Sequence, residues 1–372
     1  MRIERSPENS KFMANVPLAP YTTIGVGGQA RCLARVSSTT EIISAMQWAE
    51  EHKLPVFILG GGSNVVFSDR GYPGMVLLPT LRGVVMKHSG SQLLFSVGAG
   101  EVWDAFVLYS VRSKLGGLEC LSGIPGTVGA APVQNIGAYG HDVASVIHTV
   151  RVIDRTTMKI EDHDAEWCEF SYRSSRFKRE PDRYIITNVT FALHPNQAPQ
   201  ITYTDLQDWF DERPQLGPPT LDTVRQAVLD VRISKGMVYD ENNVYSHGCG
   251  SFFVNSTLSG DDFKRVIEGA KNLSNPVEED RIPAHPAGDG VVKVSAAWLI
   301  EAAGFKRGTR YESTNIGLNP YHALAIINYG GGAARQIVEF MTEIQDAVKK
   351  QFGVDLTPEP SFIGFKENAK EK

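Results

Sequence analysis

The chain has 372 residues, 42% of them hydrophobic and 21% charged, with a formal net charge of −5. That length exceeds what one hydrophobic core usually serves, so two or three domains are expected, and the composition is that of an ordinary globular protein. The mild acidity excludes a general electrostatic pull toward nucleic acid or an anionic membrane, so any anionic ligand must be held by local basic residues.

The four cysteines (Cys32, Cys120, Cys168, Cys249) are scattered, with no CxxC or Cys/His spacing. A disulfide framework or a zinc site is therefore not expected, and no metal is assigned. The opening MRIERSPENSK lacks an apolar signal region, and no later apolar run is long enough to cross a bilayer. A soluble, cytoplasmic protein is the expectation.

Residues 1–15 are polar and read as loose. PYTTIGVGGQA is turn-rich and leads into an extended RCLARV. Ser38 and Glu41 form a capping-box pattern, followed by Ile42, Ala45, Met46 and Ala49 at helical spacing, and the helix should end near Lys53, before Pro55. Val56–Leu59 is a short apolar strand running straight into the loop Gly60, Gly61, Gly62, Ser63, Asn64, after which Val65–Phe67 is again apolar. A Rossmann or Walker phosphate loop would lead into a helix and carry GxGxxG or GK[ST]; this loop does neither. Two readings stay open for it, a nest of N–H groups for an anion or a plain hairpin turn.

Residues 75–98 alternate like strands, and a helix is predicted over 101–114, stopped by Gly116-Gly117 as a glycine cap. The stretch ECLSGIPGTVGAAPVQNIGAYG (119–140) follows, rich in glycine and small residues that permit close backbone approach. A short helical turn opening near Pro125 would aim N–H groups at an anion; a tight buried connection is the alternative. Two strands, VIHTVRVID and YIITNVTFAL, flank FSYRSSRFK. ITYTDLQDWF and the proline-rich ERPQLGPPT read as the end of a domain and a linker.

The second half opens on a helix over 221–232 and continues through SHGCGSFFVNS, a capped helix in SGDDFKRVIEGAK, another in SAAWLIEAAG, a strand in YHALAIIN, and a long amphipathic helix over 334–352 stopping at Gly353. VDLTPEPSFIGF closes the pattern, which is α+β without internal repeats. On local sequence alone, Arg173 is a surface arginine beside Arg176 and Lys178, Ser251 a serine after a glycine turn, and Glu359 an acid between two prolines. Cys249 reads as structural, since nothing nearby marks a lowered thiol pKa.

In their order, TTIGVGG, ILGGGSN, VGAGEVW, GIPGTVGAAPVQNIGAYG, YRSSRFK, ITYTDL, GCGSFF-x-N and L-x-PEPSFIG resemble the UDP-N-acetylenolpyruvoylglucosamine reductase family across Tyr21 to Gly364. The resemblance implies an FAD-binding fold like that of the vanillyl-alcohol oxidase group, in two α+β subdomains (16–78 and 79–212). A C-terminal α+β substrate-binding domain (213–366) follows, its 355–365 tail returning to the active site. It implies non-covalent FAD, NADPH as hydride donor, and UDP-N-acetylglucosamine enolpyruvate as substrate. By the same resemblance Gly60, Gly61, Gly62, Ser63 and Asn64 cradle the FAD diphosphate. Gly123, Ile124, Pro125, Gly126, Asn135, Gly137, Ala138, Tyr139 and Gly140 line the rest of the cofactor.

The catalytic set it implies is Arg173, which polarises the enolpyruvyl carboxylate, Ser251 as proton donor and Glu359 as third active-site residue. Tyr203, Lys235 and Asn255 correspond to contacts with the UDP-sugar, and Tyr203 resembles the class with a substrate-covering loop. The stretch 239–247 is longer than the family pattern. No nucleic-acid or membrane partner is expected, and the expected state is a monomer. The nearest alternative is a flavin-dependent sugar or alcohol oxidase of the same fold, for which Cys120 or His141 would be the tether. A non-catalytic flavin or nucleotide-sugar binding module would be expected to lose one of Arg173, Ser251 and Glu359.

Overall fold

The computed structural model describes residues 12–288 and 290–365, so most of the polar N-terminal segment and the Lys/Glu-rich tail lie outside the described residues. Residues 12–15, expected to be loose, begin the strand Phe12–Pro17. Contacts divide the chain into two units: 12–16, 30–62 and 72–238 form the first, and 17–29, 63–71 and 239–365 the second.

The first unit holds two main sheets, besides a two-stranded ribbon of Gly137–Ala138 with His141–Asp142. The smaller runs in the order Phe12–Pro17, Gln29–Val36, Tyr72–Pro79, Val56–Ile58, and its last three strands are parallel. Helix α1 (Thr39–Glu51) makes the crossover and buries the predicted stripe Ile42, Ala45, Met46 and Ala49. Ser38 Oγ accepts from the Glu41 N–H at 3.2 Å, as the capping pattern requires. The return arm is shifted by one residue: the Glu41 carboxylate accepts from the N–H of Ser37 at 2.7 Å.

The larger sheet is antiparallel, in the order Ile160–Asp164, Ile147–Asp154, Tyr184–Pro195, Gln92–Gly98, Val84–Ser89. Along Tyr184–Pro195, Val189, Phe191 and Leu193 alternate inward, and Phe191 meets Phe106 of helix α2 (Trp103–Arg112) with ring centroids 5.0 Å apart. Ile160–Asp164 has no apolar alternation to mark it in sequence; it is held as an edge strand by pairing and by Arg151, which donates to both carboxylate oxygens of Asp162 at 2.8 and 2.7 Å. Helix α2 does not end on Gly116-Gly117. Lys114 (φ 60) takes the left-handed position, and Gly116 is already extended, paired with His194.

After the short helix α3 (Arg176–Arg179), α4 (Thr204–Asp211) occupies the segment read as a domain end. Its Leu206 and Trp209 pack with Val224, Ala227 and Val228 of α5 (Leu221–Ser234) and with Cys120. The proline-rich connection between them contains a single turn, Pro214–Leu216.

The second unit packs α6 (Gly260–Lys271), α7 (Ala296–Ala302) and α8 (Ala334–Phe352) around Phe252 and Phe253. Ser259 and Ser295 cap α6 and α7, and α8 ends at Gly353 in the left-handed region, as predicted. The Asp69 carboxylate accepts from the N–H groups of Ala334 and Arg335, both at 2.8 Å, capping the start of α8. The strand expected over 321–328 shrinks to Ile326–Asn328, because Asn319 Oδ1 accepts from the Tyr321 N–H (2.7 Å) and holds the first half in a turn. The closing segment Ser361–Ile363 lies parallel to Val65–Phe67.

Candidate active site

The hairpin reading of Gly60–Asn64 is excluded. The strand before it pairs with Tyr72–Pro79 and the strand after it with Ser361–Ile363, both in parallel, so the loop connects different sheets. Within the first unit Gly60 and Gly61 lie against the other glycine-rich stretch. A Cβ on Gly61 would stand 2.5 Å from Gly126 Cα, and one on Gly60 would stand 2.9 Å from Ala130 Cβ. Only glycine permits that approach. Gly126 is in turn tied to VGAGEVW: its carbonyl accepts from the Trp103 N–H at 3.1 Å, Val128 N–H donates to Glu101 O at 2.9 Å, and Gly129 N–H donates to Ala99 O at 2.9 Å. Three motifs far apart in sequence thus meet at Gly126. The helical turn expected near Pro125 begins later, as a single turn over Val128–Ala130, because Gly126 (φ 134) holds the preceding backbone out of helical geometry.

Farther along, Gly137–Ala138 pairs with His141–Asp142, with Tyr139 and Gly140 at the bend. Tyr139 meets Tyr203 edge to face, centroids 5.5 Å apart, and burial pushes its hydroxyl pKa up to about 12. Tyr203 stands exposed at the start of α4; two residues on, Asp205 forms an ion pair with Lys235 at the end of α5. Arg173 occupies the bend of a tight hairpin in which Ser171 and Ser174 exchange backbone hydrogen bonds at 3.0 and 3.1 Å. Its φ is +53, and its Nη2 donates to Gly137 O at 2.6 Å. A Cβ on Gly137 would lie 2.9 Å from Arg173 Nη1, so glycine at 137 is what lets the guanidinium settle there.

One cation was missed by the sequence reading. Arg225 takes both oxygens of Asp104 at 2.7 Å, and Asp104 also accepts the Gly123 N–H at 2.6 Å. Arg232, one heptad later on α5, lies beside this pair with its Nε buried and without a hydrogen-bond partner. Burial pushes its pKa down, opposed by Tyr139 and Asp104. Arg232 Nε would lie 3.4 Å from a Cβ on Gly123, so a second guanidinium stands beside the glycine turn that Asp104 holds. A locally cationic, glycine-lined site of this kind fits an anionic dinucleotide cofactor such as FAD. The sequence does not mark these cations: α5 also carries Asp222, Thr223, Gln226 and Asp230, so Arg225 and Arg232 do not stand out among the polar positions of an amphipathic helix.

In the second unit the GCGSFF turn and the PEP segment lie side by side. Glu359 N–H donates to Phe252 O at 2.9 Å, Val254 N–H donates to Thr357 O at 3.0 Å, and Phe253 bridges Pro358. Ser251 and Glu359 thereby become neighbours through their backbones. The same segment reaches the glycine loop: Asn64 Nδ2 donates to Glu359 O at 3.2 Å, and Ser361 N–H donates to Asn64 O at 3.1 Å. Cys249 is buried, its Sγ 3.8 Å from Val65 O, and burial, reinforced by the charge of Glu359, pushes the thiol up to about 12. It is a packing residue, as read from the sequence. Asn255 Oδ1 accepts from the Ala296 N–H at 3.0 Å, completing the cap of α7.

Among the described residues no group of three or more His, Cys, Asp or Glu side chains could hold a metal, and no helix is long and apolar enough to cross a membrane. Of the tethers an oxidase would use, Cys120 is buried with its thiol pushed up to about 12, and the His141 ring meets Gln200 O at 3.0 Å. The structure therefore groups the named residues in two sets, Arg173 with Gly137, Tyr139, Tyr203 and Lys235 in the first unit, and Ser251 with Glu359 and Asn64 in the second.

Residues 30–160 match the family model of the FAD binding domain, and residues 242–363 match that of the UDP-N-acetylenolpyruvoylglucosamine reductase, C-terminal domain. The UDP-N-acetylenolpyruvoylglucosamine reductase of Thermobifida fusca (strain YX) is 40% identical over 357 residues, 95% of this chain and 99% of the relative. That of Cutibacterium acnes is 39% identical over 354 residues, 94% of this chain and 90% of the relative. Among solved structures, the UDP-N-acetylenolpyruvylglucosamine reductase of Thermus caldophilus shares the fold, with a TM-score of 0.62 at 22% identity over 95% of this chain and 98% of that one.

Proposed function

The chain belongs to the UDP-N-acetylenolpyruvoylglucosamine reductase family, and from that premise we propose how its residues reduce UDP-N-acetylglucosamine enolpyruvate to UDP-N-acetylmuramate in peptidoglycan precursor synthesis. FAD is the cofactor and NADPH the hydride donor; when bound, the flavin relays a hydride from NADPH to C3 of the enolpyruvyl group. The protein's own tasks are to orient the two reactants, hold the negative charge that develops on the carboxylate, and deliver a proton to C2.

Gly60, Gly61, Gly62, Ser63 and Asn64 would hold the FAD diphosphate, since their side chains are absent or small and their backbone N–H groups can be offered. Gly123, Ile124, Pro125, Gly126, Gly137, Ala138, Tyr139 and Gly140 line the remainder, with Arg232 as the cation on that side. Arg173 holds the enolpyruvyl carboxylate through its planar fork. Its bond to Gly137 O supports this role by fixing the guanidinium next to the cofactor stretch. Ser251 gives its hydroxyl proton to C2, and Glu359 polarises the reacting group or helps deliver that proton. Tyr203, Lys235 and Asn255 receive the UDP-sugar, with Lys235 exchanging Asp205 for a phosphate. The protein acts as a cytoplasmic monomer.

The observation that carries the assignment of the proton-delivering pair is the hydrogen bond from Glu359 N–H to Phe252 O, which joins two motifs from distant parts of the chain. Ser251→Ala separates the half-reactions. Flavin reduction by NADPH should keep its rate, while reoxidation by the enolpyruvyl sugar should slow by about 10²-fold or more. Stopped-flow absorbance reads both, and an unchanged second step would remove Ser251 from the mechanism.

A further inference from the structure

Asn135 lies in the stretch expected to line the flavin, yet its side chain is spent on the protein. It is 2% exposed and adopts the left-handed region (φ 46). Its Nδ2 donates to Ser171 O at 3.2 Å, and its Oδ1 accepts from the Ala144 N–H at 3.0 Å. Ser171 is the first residue of the hairpin that carries Arg173 at its bend. From the other side, Lys178 Nζ donates to the carbonyl oxygen of Arg173 itself at 3.0 Å. Ser175, fully buried, adds a third tie from its hydroxyl to Val133 O at 2.6 Å.

Arg173 needs such support. A β-carbon-bearing residue in the left-handed region is strained, and the strained form persists only where its surroundings over-determine it. Without these ties the bend can relax, and the guanidinium moves away from Gly137. We propose that Asn135 and Lys178 are positioning residues that hold the Arg173 bend, and that Asn135 is not a flavin ligand. This rests on the reading of Arg173 as the group that binds the enolpyruvyl carboxylate.

The test uses the holoenzyme and four variants, Asn135→Asp, Asn135→Ala, Lys178→Met and Arg173→Lys. Asn135→Asp keeps the acceptor for Ala144 but, when ionised, loses the donor to Ser171; protonated, it regains one. For Asn135→Asp and Lys178→Met, FAD affinity and the rate of flavin reduction by NADPH should stay within about twofold of the parent, while reoxidation by saturating enolpyruvyl sugar slows on the order of 10²-fold. The rate of Asn135→Asp relative to the parent should recover between about pH 9 and about pH 5.5, as the buried carboxyl takes up its proton; Asn135→Ala should stay slow throughout.

Hydrogen exchange supplies a readout independent of substrate: the amides of Ser171 and Ser174 should exchange faster in all three Asn135 and Lys178 variants. Weakened FAD binding with unchanged exchange at those amides would overturn the proposal and return Asn135 to the cofactor contacts. If Arg173→Lys leaves the second step unchanged, the catalytic reading of Arg173 fails. The exchange data then decide alone whether Asn135 and Lys178 hold the bend.

Discussion

Arg173 joins a strained backbone to a charged side chain that is already hydrogen-bonded to Gly137 O. An ammonium at the end of a lysine stem keeps the charge but lacks the two parallel N–H donors. Arg173→Lys is therefore expected to slow the substrate half-reaction by about 10²-fold while NADPH reduction of the flavin proceeds normally, as rapid-mixing absorbance would record. A near-parental rate would remove Arg173 from carboxylate binding. The cysteines behave oppositely to catalytic thiols. All four are buried, with thiols pushed up to about 11 for Cys32 and about 12 for Cys120, Cys168 and Cys249. None should react with a thiol reagent at about pH 8 in the folded protein, and all should react once it is unfolded. Local sequence leaves Arg173, Ser251 and Glu359 looking ordinary, and only the ordered motifs around them suggest the roles proposed for them. Arg232 was illegible, since its meaning depends on Asp104 being already taken by Arg225, a fact that lies in no local pattern.

At the scale of elements, the contact of Gly61 with Gly126 turns two loops into one site. Gly61→Ala places a methyl group 2.5 Å from backbone that has no room to yield. It should cost about 1–3 kcal/mol of stability and weaken FAD binding, read by denaturant titration and flavin fluorescence. Parental stability and FAD affinity would contradict the close approach. Asp104 ties α2 to α5 and to the Gly123 turn. Burial pushes its carboxyl up, but the hydrogen bonds from Arg225 and Gly123 and the charges of Arg225 and Arg232 outweigh that and hold it below the ordinary range. Its contribution is then complete above the unfolded carboxyl value of about 4 and is lost as pH falls through the lower folded value. Asp104→Asn should lower the unfolding midpoint at neutral pH and flatten the acid side of the stability profile in that window. Helices with strong caps and periodic stripes, α1, α6, α7 and α8, were readable from sequence. The end of α2 was not, because a lysine took the left-handed position, and α4 was hidden by its polar composition and the prolines that follow it.

At the scale of the whole molecule, the α+β class and the order of the motifs were legible, because they depend on composition and spacing. The assembly of each unit was not. Segments 17–29 and 63–71 fold with the C-terminal half, and the strand Val65–Phe67 finds its partner at Ser361–Ile363, a pairing that no period or turn signal announces. This chain takes a hydride from NADPH and delivers it to an enolpyruvyl sugar through bound FAD. An anaerobic visible-absorbance titration of the purified protein tests that transfer most directly. Addition of NADPH should bleach the flavin band, and addition of UDP-N-acetylglucosamine enolpyruvate, still without air, should restore it. A flavin that bleaches but stays colourless until oxygen is admitted would contradict the account and favour an oxidase.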